Sequence, residues 1–244
     1  MSLERRLLAW NEKRGDVEAL HRAITEHPDW RVLEDKDGGT SPLVDENGKR
    51  WLTLFSNDDA LYEFKNSSGY KPEKVGRTPG YVAFKTMLDD VTGVQLNPDT
   101  PIAIHFTLAT HGDQLERWGN SVFVEQTLAD PGMVDDPFRV YREFGGYMVV
   151  VVKAKDGSET VAMAPDDKGR KLVAVFTAPD TVKAFVEQNK SRLAGSVRVL
   201  HYTGAKLFET LKSRKMDGIV FNCSGPIPPR AFQASFAEKV LTGV

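Results

Sequence analysis

The chain has 244 residues, 41% of them apolar and 27% charged, with a formal net charge of −2. That is ordinary globular composition, room for one large domain or two small ones, and enough chain to bury a core without a disulfide or metal staple. The near balance of acid and base argues against a duplex nucleic-acid binder, which needs a basic face to release counterions. The single cysteine, Cys223, excludes an intrachain disulfide and fits a reducing compartment. The charged N-terminus lacks the apolar stretch of a secretory signal. The longest strongly apolar run, 148–152, falls far short of the ~20 residues that span a bilayer. A cytoplasmic protein with no membrane or nucleic-acid partner is expected.

Leu3, Leu7 and Leu8 recur at helical spacing, and Asp16 can cap a second helix whose apolar face is Val17, Leu20 and Ile24. Pro28 ends it. A strand over 30–33, the turn Asp37-Gly38-Gly39 and a strand over 51–55 entered through Asn47-Gly48 follow. Ser56 is placed to cap the next helix, with Asp59 reaching back three residues on; Leu61 and Phe64 form its buried face. Residues 65–77 read as a polar loop. Thr78-Pro79 reads as a cap and first-turn proline opening a helix through Val82, Met87 and Leu88. Gly93 closes that helix, 94–96 returns as a strand, Asn97-Pro98 turns the chain, and 102–108 is another strand. Residues 114–128 show no clean period.

Asp130-Pro131-Gly132 and Asp135-Asp136-Pro137 mark a linker, the second pair capping a short helix to Phe144. Strands follow over 147–153, 160–164 and 171–176, with turns at Asp156-Gly157 and 166–169. Thr177-Ala178-Pro179-Asp180 opens a helix. A strand over 197–200, a helix over 205–214, a strand over 219–221 and a helix over 233–241 complete the chain.

Self-similarity decides the architecture. Residues 48–64 (GKRWLTLFSNDDALYEF) align without a gap on 169–185 (GRKLVAVFTAPDTVKAF), matching Gly48 with Gly169, Phe55 with Phe176, Asp59 with Asp180 and Phe64 with Phe185. Residues 93–105 (GVQLNPDTPIAIH) align on 218–230 (GIVFNCSGPIPPR), with Gly93, Asn97, Pro101 and Ile102 identical to Gly218, Asn222, Pro226 and Ile227. The fold class expected is α/β (α+β): two tandem copies of a small mixed-sheet module with helices packed on the sheet, related by a pseudo-two-fold axis. The divisions are 1–28 for the N-terminal helices, 29–129 for the first module and 130–244 for the second.

The pattern shared by the blocks is a strand ending in Phe-Ser or Phe-Thr, a helix ending in Phe, a second helix, then Gly-x-x-x-Asn. It resembles the SseB N-terminal domain family, bacterial proteins of the enhanced serine sensitivity type. The second copy carries the resemblance best, through LVAVFTAPDTVKAF and GAKLFETLKSRKMDGIVFN; the first departs in length at TPGYVAFKTMLDDVTGVQLN. The resemblance implies an α/β fold and assigns no catalytic residues.

Five residues stand out as ligand contacts. Asn97 and Asn222 recur just past a buried strand, where α/β sheets bind ligands, although a turn role also explains them. Ser56 and Thr177 sit where helix N-termini hold anions, although capping accounts for both. Arg230 follows the stiff Pro228-Pro229 and could form a binding edge or merely lead into the last helix. Cys223 lacks an evident base, His201 being the nearest histidine in sequence, and Pro98 replaces it in the first copy. His105, His111 and Asp113 have no standard metal spacing. No phosphate-loop, dinucleotide, serine-hydrolase or zinc-protease motif is present, and the basic run 206–215 reads as a solvated helix face. No catalytic residue, metal or cofactor is assigned. The reading is a non-enzymatic binding or interaction module that takes a protein or a small molecule. The alternative is an enzyme with a site in the groove between the copies, built from His105, Asp113 or Cys223.

Overall fold

The computed structural model describes residues 1–154, 156–165, 168–193, 195–214, 216–225 and 227–243. Part of the turn at 166–169, Lys215 of the basic run and Pro226 of the second aligned block lie outside the described residues. Backbone contacts divide the chain into two compact units, Met1–Phe123 and Val124–Val244.

In the first unit, α1 (Leu3–Asn11) and α2 (Val17–Glu26) form as their periodicity requires, and the Asp16 carboxylate accepts from Ala19 N at 2.9 Å as the N-cap of α2. Then come β1 (Trp30–Glu34), β2 (Leu43–Val44), β3 (Arg50–Phe55), α3 (Asp58–Ser68), β4 (Lys74–Thr78), α4 (Gly80–Thr86), β5 (Gly93–Leu96), β6 (Ile104–Thr107) and α5 (Leu108–Ala129), the helix in which the division between units falls. The sheet runs β4-β1-β3-β5-β6, with β2 beside β3. Trp30, Val32, Leu52, Leu54, Val94 and Phe106 face α1, α2, α4 and Leu115 of α5. Leu33 and Phe55 face α3 on the other side, against Leu61 and Phe64.

The second unit contains α6 (Pro137–Glu143), β7 (Tyr147–Lys153), β8 (Glu159–Val161), β9 (Met163–Pro165), β10 (Lys171–Phe176), α7 (Pro179–Gln188), β11 (Ser196–Tyr202), α8 (Gly204–Ser213), β12 (Gly218–Phe221), β13 (Arg230–Gln233) and α9 (Ser235–Thr242). Its sheet runs β11-β7-β10-β12-β13, the same order strand for strand as the first. In each unit the pair joined through two helices is parallel, β3 with β5 and β10 with β12. Tyr147, Val149, Val175 and Phe221 meet α6, α8 and α9 on one face; Met148, Val150 and Phe176 meet Val182 and Phe185 of α7 on the other. The chain is therefore a mixed α/β protein of two sheet modules with one topology.

Backbone detail repeats as well. Gly48 and Gly169 both sit at positive φ, 76° and 74°, before β3 and β10. The N–H groups of Gly80 and Gly204, which open α4 and α8, each donate at 2.7 Å to a carbonyl just after an earlier helix, His27 O and Phe144 O. A Cβ at either glycine would lie 2.2 Å from Ile24 O or 2.1 Å from Tyr141 O, so only glycine lets the two helix ends meet. The second aligned block holds through Asn97 and Asn222 and then slips by one. Sheet pairing sets Ile104 opposite Leu96 and Arg230 opposite Phe221, so Arg230 corresponds to Ile104 rather than to His105.

Several sequence expectations are corrected. Residues 65–77 are not a loop: α3 runs to Ser68 and β4 forms the sheet edge. Pro79, not Thr78, is the N-cap of α4, and that helix ends at Thr86 instead of reaching Gly93. The unassigned stretch 114–128 lies in the 22-residue α5. β13 is a strand where only an approach to the last helix is expected. Among the described residues no helix is long and apolar enough to cross a membrane.

Candidate functional site

The carboxyl end of a parallel strand pair is the usual ligand site of an open α/β sheet. In the first unit that position is filled by the protein itself. Asn97, one residue past β5, has φ 46°, and its N–H donates to Leu54 O at 2.9 Å. The turn aims its carboxamide across the strand ends. Its Oδ1 accepts from Ser56 N at 2.7 Å, and its Nδ2 donates to Ser56 Oγ at 3.1 Å. Asn97 is 0% and Ser56 4% exposed, so the pair is a closed polar latch inside the fold. Behind it, His27 Nε2 lies 3.0 Å from Ser56 O, and the His27 ring packs edge-on against Trp30. Burial lowers the pKa of His27 below its ordinary value, which favours the neutral ring.

The second unit repeats the latch. Asn222 has φ 50°, its N–H donates to Val175 O at 2.8 Å, its Oδ1 accepts from Thr177 N at 3.0 Å, and its Nδ2 donates to Thr177 Oγ1 at 2.8 Å. This copy carries an addition. Thr177 Oγ1 donates to the Glu125 carboxylate at 2.6 Å, and Thr181 Oγ1 lies 2.7 Å from Ala178 O and 3.2 Å from Asn222 Oδ1. A hydroxyl hydrogen-bonded to a carboxylate resembles a nucleophile with its base. Here Thr177 and Glu125 are buried together with the latch.

Neither Ser56 nor Thr177 caps a helix. Asn57 caps α3, accepting from Ala60 N at 2.9 Å, and Ala178 occupies the N-cap of α7 without a side-chain bond. Both hydroxyl residues lie one position earlier and turn inward to their asparagine. Glu125 is a site residue the sequence reading missed. Its signal was an acid at helical spacing among Ser121, Val122 and Leu128, all of them buried.

The remaining candidates do not gather. Arg230 is exposed at the start of edge strand β13. Cys223 is half-buried against the apolar cluster that contains Met148, Val150 and Phe176, and burial pushes its thiol up to about 11, which leaves it protonated at neutral pH. His201 is exposed on β11. His105 is exposed on β6 with its ring 5.9 Å from that of Trp51, whose Nε1 donates to Asp45 at 3.1 Å. Asp113 is exposed, whereas His111 turns the other way, into the core beside Phe106 and His21. Among the described residues no three His, Cys, Asp or Glu side chains are grouped to hold a metal ion. On the surface of the first unit, Arg31 reaches Asp58 and Asp29 at 2.8 Å each, and Arg77 joins Asp29 at 2.9 Å. These pairings tie β1 and β4 to the start of α3 and raise the Arg31 pKa further.

No family model matches the chain, and no curated protein does. Among solved structures it is similar to Tic22 of Anabaena, described as a protein of protein transport, at 13% identity over 80% of this chain and 87% of that one, with a TM-score of 0.22. At that TM-score the likeness bears on neither fold nor function.

Proposed function

We propose that the chain is an SseB-like binding or interaction module rather than an enzyme. The observation that carries this is the state of the two strand-end sites. The polar groups that recur in both copies are engaged with each other and buried, so their recurrence reflects what the fold requires. The residues peculiar to one copy, Arg230, His105 and Cys223, add an exposed edge residue, an exposed imidazole on Trp51 and a protonated thiol. A protein or a small molecule would then be taken on the exposed surface of the modules.

The test is affinity capture of the tagged full chain from native lysate with in-cell cross-linking, competed by excess untagged protein. The reading expects a partner that disappears on competition and is lost from variants at exposed positions such as Arg230→Glu or His105→Ala. Absence of any competed partner, together with turnover of an ester, phosphoester or peptide substrate that Cys223→Ala abolishes, overturns it in favour of an enzyme.

A further inference from the structure

The core of the first unit holds two histidines that the latch does not use. His21 of α2 is 0% exposed, and neither of its ring nitrogens has a hydrogen-bond partner; Nδ1 of His111 on α5 is likewise buried without one. Their rings meet edge to face at 5.3 Å, and each also meets Phe106 of β6 edge-on, at 5.6 and 4.9 Å. Three rings from three elements thus pack as aromatics. A neutral imidazole suits that packing, because its N–H can point at a ring face. An imidazolium does not, because it brings a charge with two donors into an apolar site.

Among the described residues, the carboxylates of α2 and those at the start of α5 are exposed. On α2 the neighbouring charges are Glu18, which is exposed, and Arg22, which pairs with Glu26 at 2.8 Å and lies over Trp118. On α5, Asp113, Glu116 and Arg117 are exposed, and on β6 His105 lies on the opposite face from Phe106. From α1, Leu3 and Leu7 join this core and Trp10 packs on Phe106, while the charged Glu4 and Arg6 are half-exposed. Burial first and then the neighbouring His111 disfavour a proton on His21, and burial disfavours one on His111.

We propose that His21 and His111 form an acid-released latch: it holds α2 against β6 and α5 while both rings are neutral, and lets the N-terminal helices lift from the sheet when the rings take up protons. Burial supports the direction, lowering His21 from 6.5 to about 4 and His111 below its ordinary value. Because the folded pKa lies below the unfolded one, the unfolded state binds more protons between the two values. Stability of this packing is therefore complete above pH 6.5 and falls as the pH drops towards about 4. Release would uncover Leu7, Leu20 and Ile24 together with the sheet face they cover. The device does not depend on which partner the module takes.

The experiment is hydrogen exchange by mass spectrometry on the full chain from pH 7 to pH 4, corrected for intrinsic rates, with tryptophan emission alongside. Expected is loss of protection in α1, α2 and the start of α5, with the core strands of the second unit still protected, and a transition about one pH unit lower in His21→Phe/His111→Leu. An unchanged transition in the folded double variant overturns the proposal. If that variant does not fold, nitrogen-resolved NMR of the wild-type imidazoles decides. Rings that stay neutral until α2 loses protection support the latch; rings that charge near their ordinary value while α2 stays protected refute it.

Discussion

Replacing Asn97 by alanine tests the central geometry most directly. The substitution removes the acceptor of Ser56 N–H and the donor to Ser56 Oγ, both inside the fold. A buried donor left without a partner costs about 1–3 kcal/mol. The alanine must also hold the left-handed backbone that Asn97 adopts at φ 46°, for about 1 kcal/mol more. The expected loss is therefore about 2–4 kcal/mol, large for a single residue. Two companions separate the contributions. Asn97→Gly removes the backbone strain but not the lost bonds, and should recover about 1 kcal/mol relative to alanine. Asn97→Asp keeps an acceptor for Ser56 N–H but places a carboxylate in a fully buried site, so its cost should be large at neutral pH and shrink as the pH falls and the carboxyl takes a proton. Urea denaturation followed by tryptophan emission isolates the effect, because all four tryptophans, Trp10, Trp30, Trp51 and Trp118, lie in the first unit. A loss below about 1 kcal/mol for Asn97→Ala would refute the latch as a stabilising element.

Gly80→Ala and Gly204→Ala should each destabilise their own unit by about 2–3 kcal/mol or more, because the added Cβ meets backbone carbonyl oxygen that cannot move alone; circular dichroism melts of the two variants check this. Tyr147→Phe should be neutral or stabilising by about 1 kcal/mol, since the buried Tyr147 hydroxyl has no partner whereas Trp30, its counterpart in the first sheet, donates from Nε1 to Ile24 O at 2.9 Å. A clear loss of stability would mean that the hydroxyl has a bonding role. Cys223 should react with a disulfide reagent at pH 7 far more slowly in the native protein than in urea, because its thiol is held up near 11; comparable rates in the two conditions would contradict that.

Legibility in the sequence followed local periodicity and caps. α2, α6 and β10 have clean periods with Asp16, Asp136 or a turn glycine at the boundary, and all three are found where expected. The duplication was readable because the same strands and turns must recur in each sheet. α5 was not readable, because Gly112 and Gly119 interrupt its pattern. Gly119 is there for packing: a Cβ would lie 3.2 Å from the Phe84 backbone. β4 was missed because an edge strand with the sequence KVGRT has the polarity of a loop. The roles of Ser56 and Thr177 were displaced by one residue, since a hydroxyl beside a helix start looks like a cap until the distant asparagine is brought to it. Those partners lie 41 and 45 residues away, beyond the reach of any local pattern.

The same separations have a kinetic consequence. Closing a loop of either length costs about 3 kcal/mol of chain entropy by (3/2)RT ln n, nearly the same for both, so neither sheet should assemble much faster on that account. The asparagine bonds can form only after the second helix of each crossover has brought its strand home. Substitutions at Asn97 or Asn222 should therefore appear chiefly as faster unfolding, with refolding rates almost unchanged.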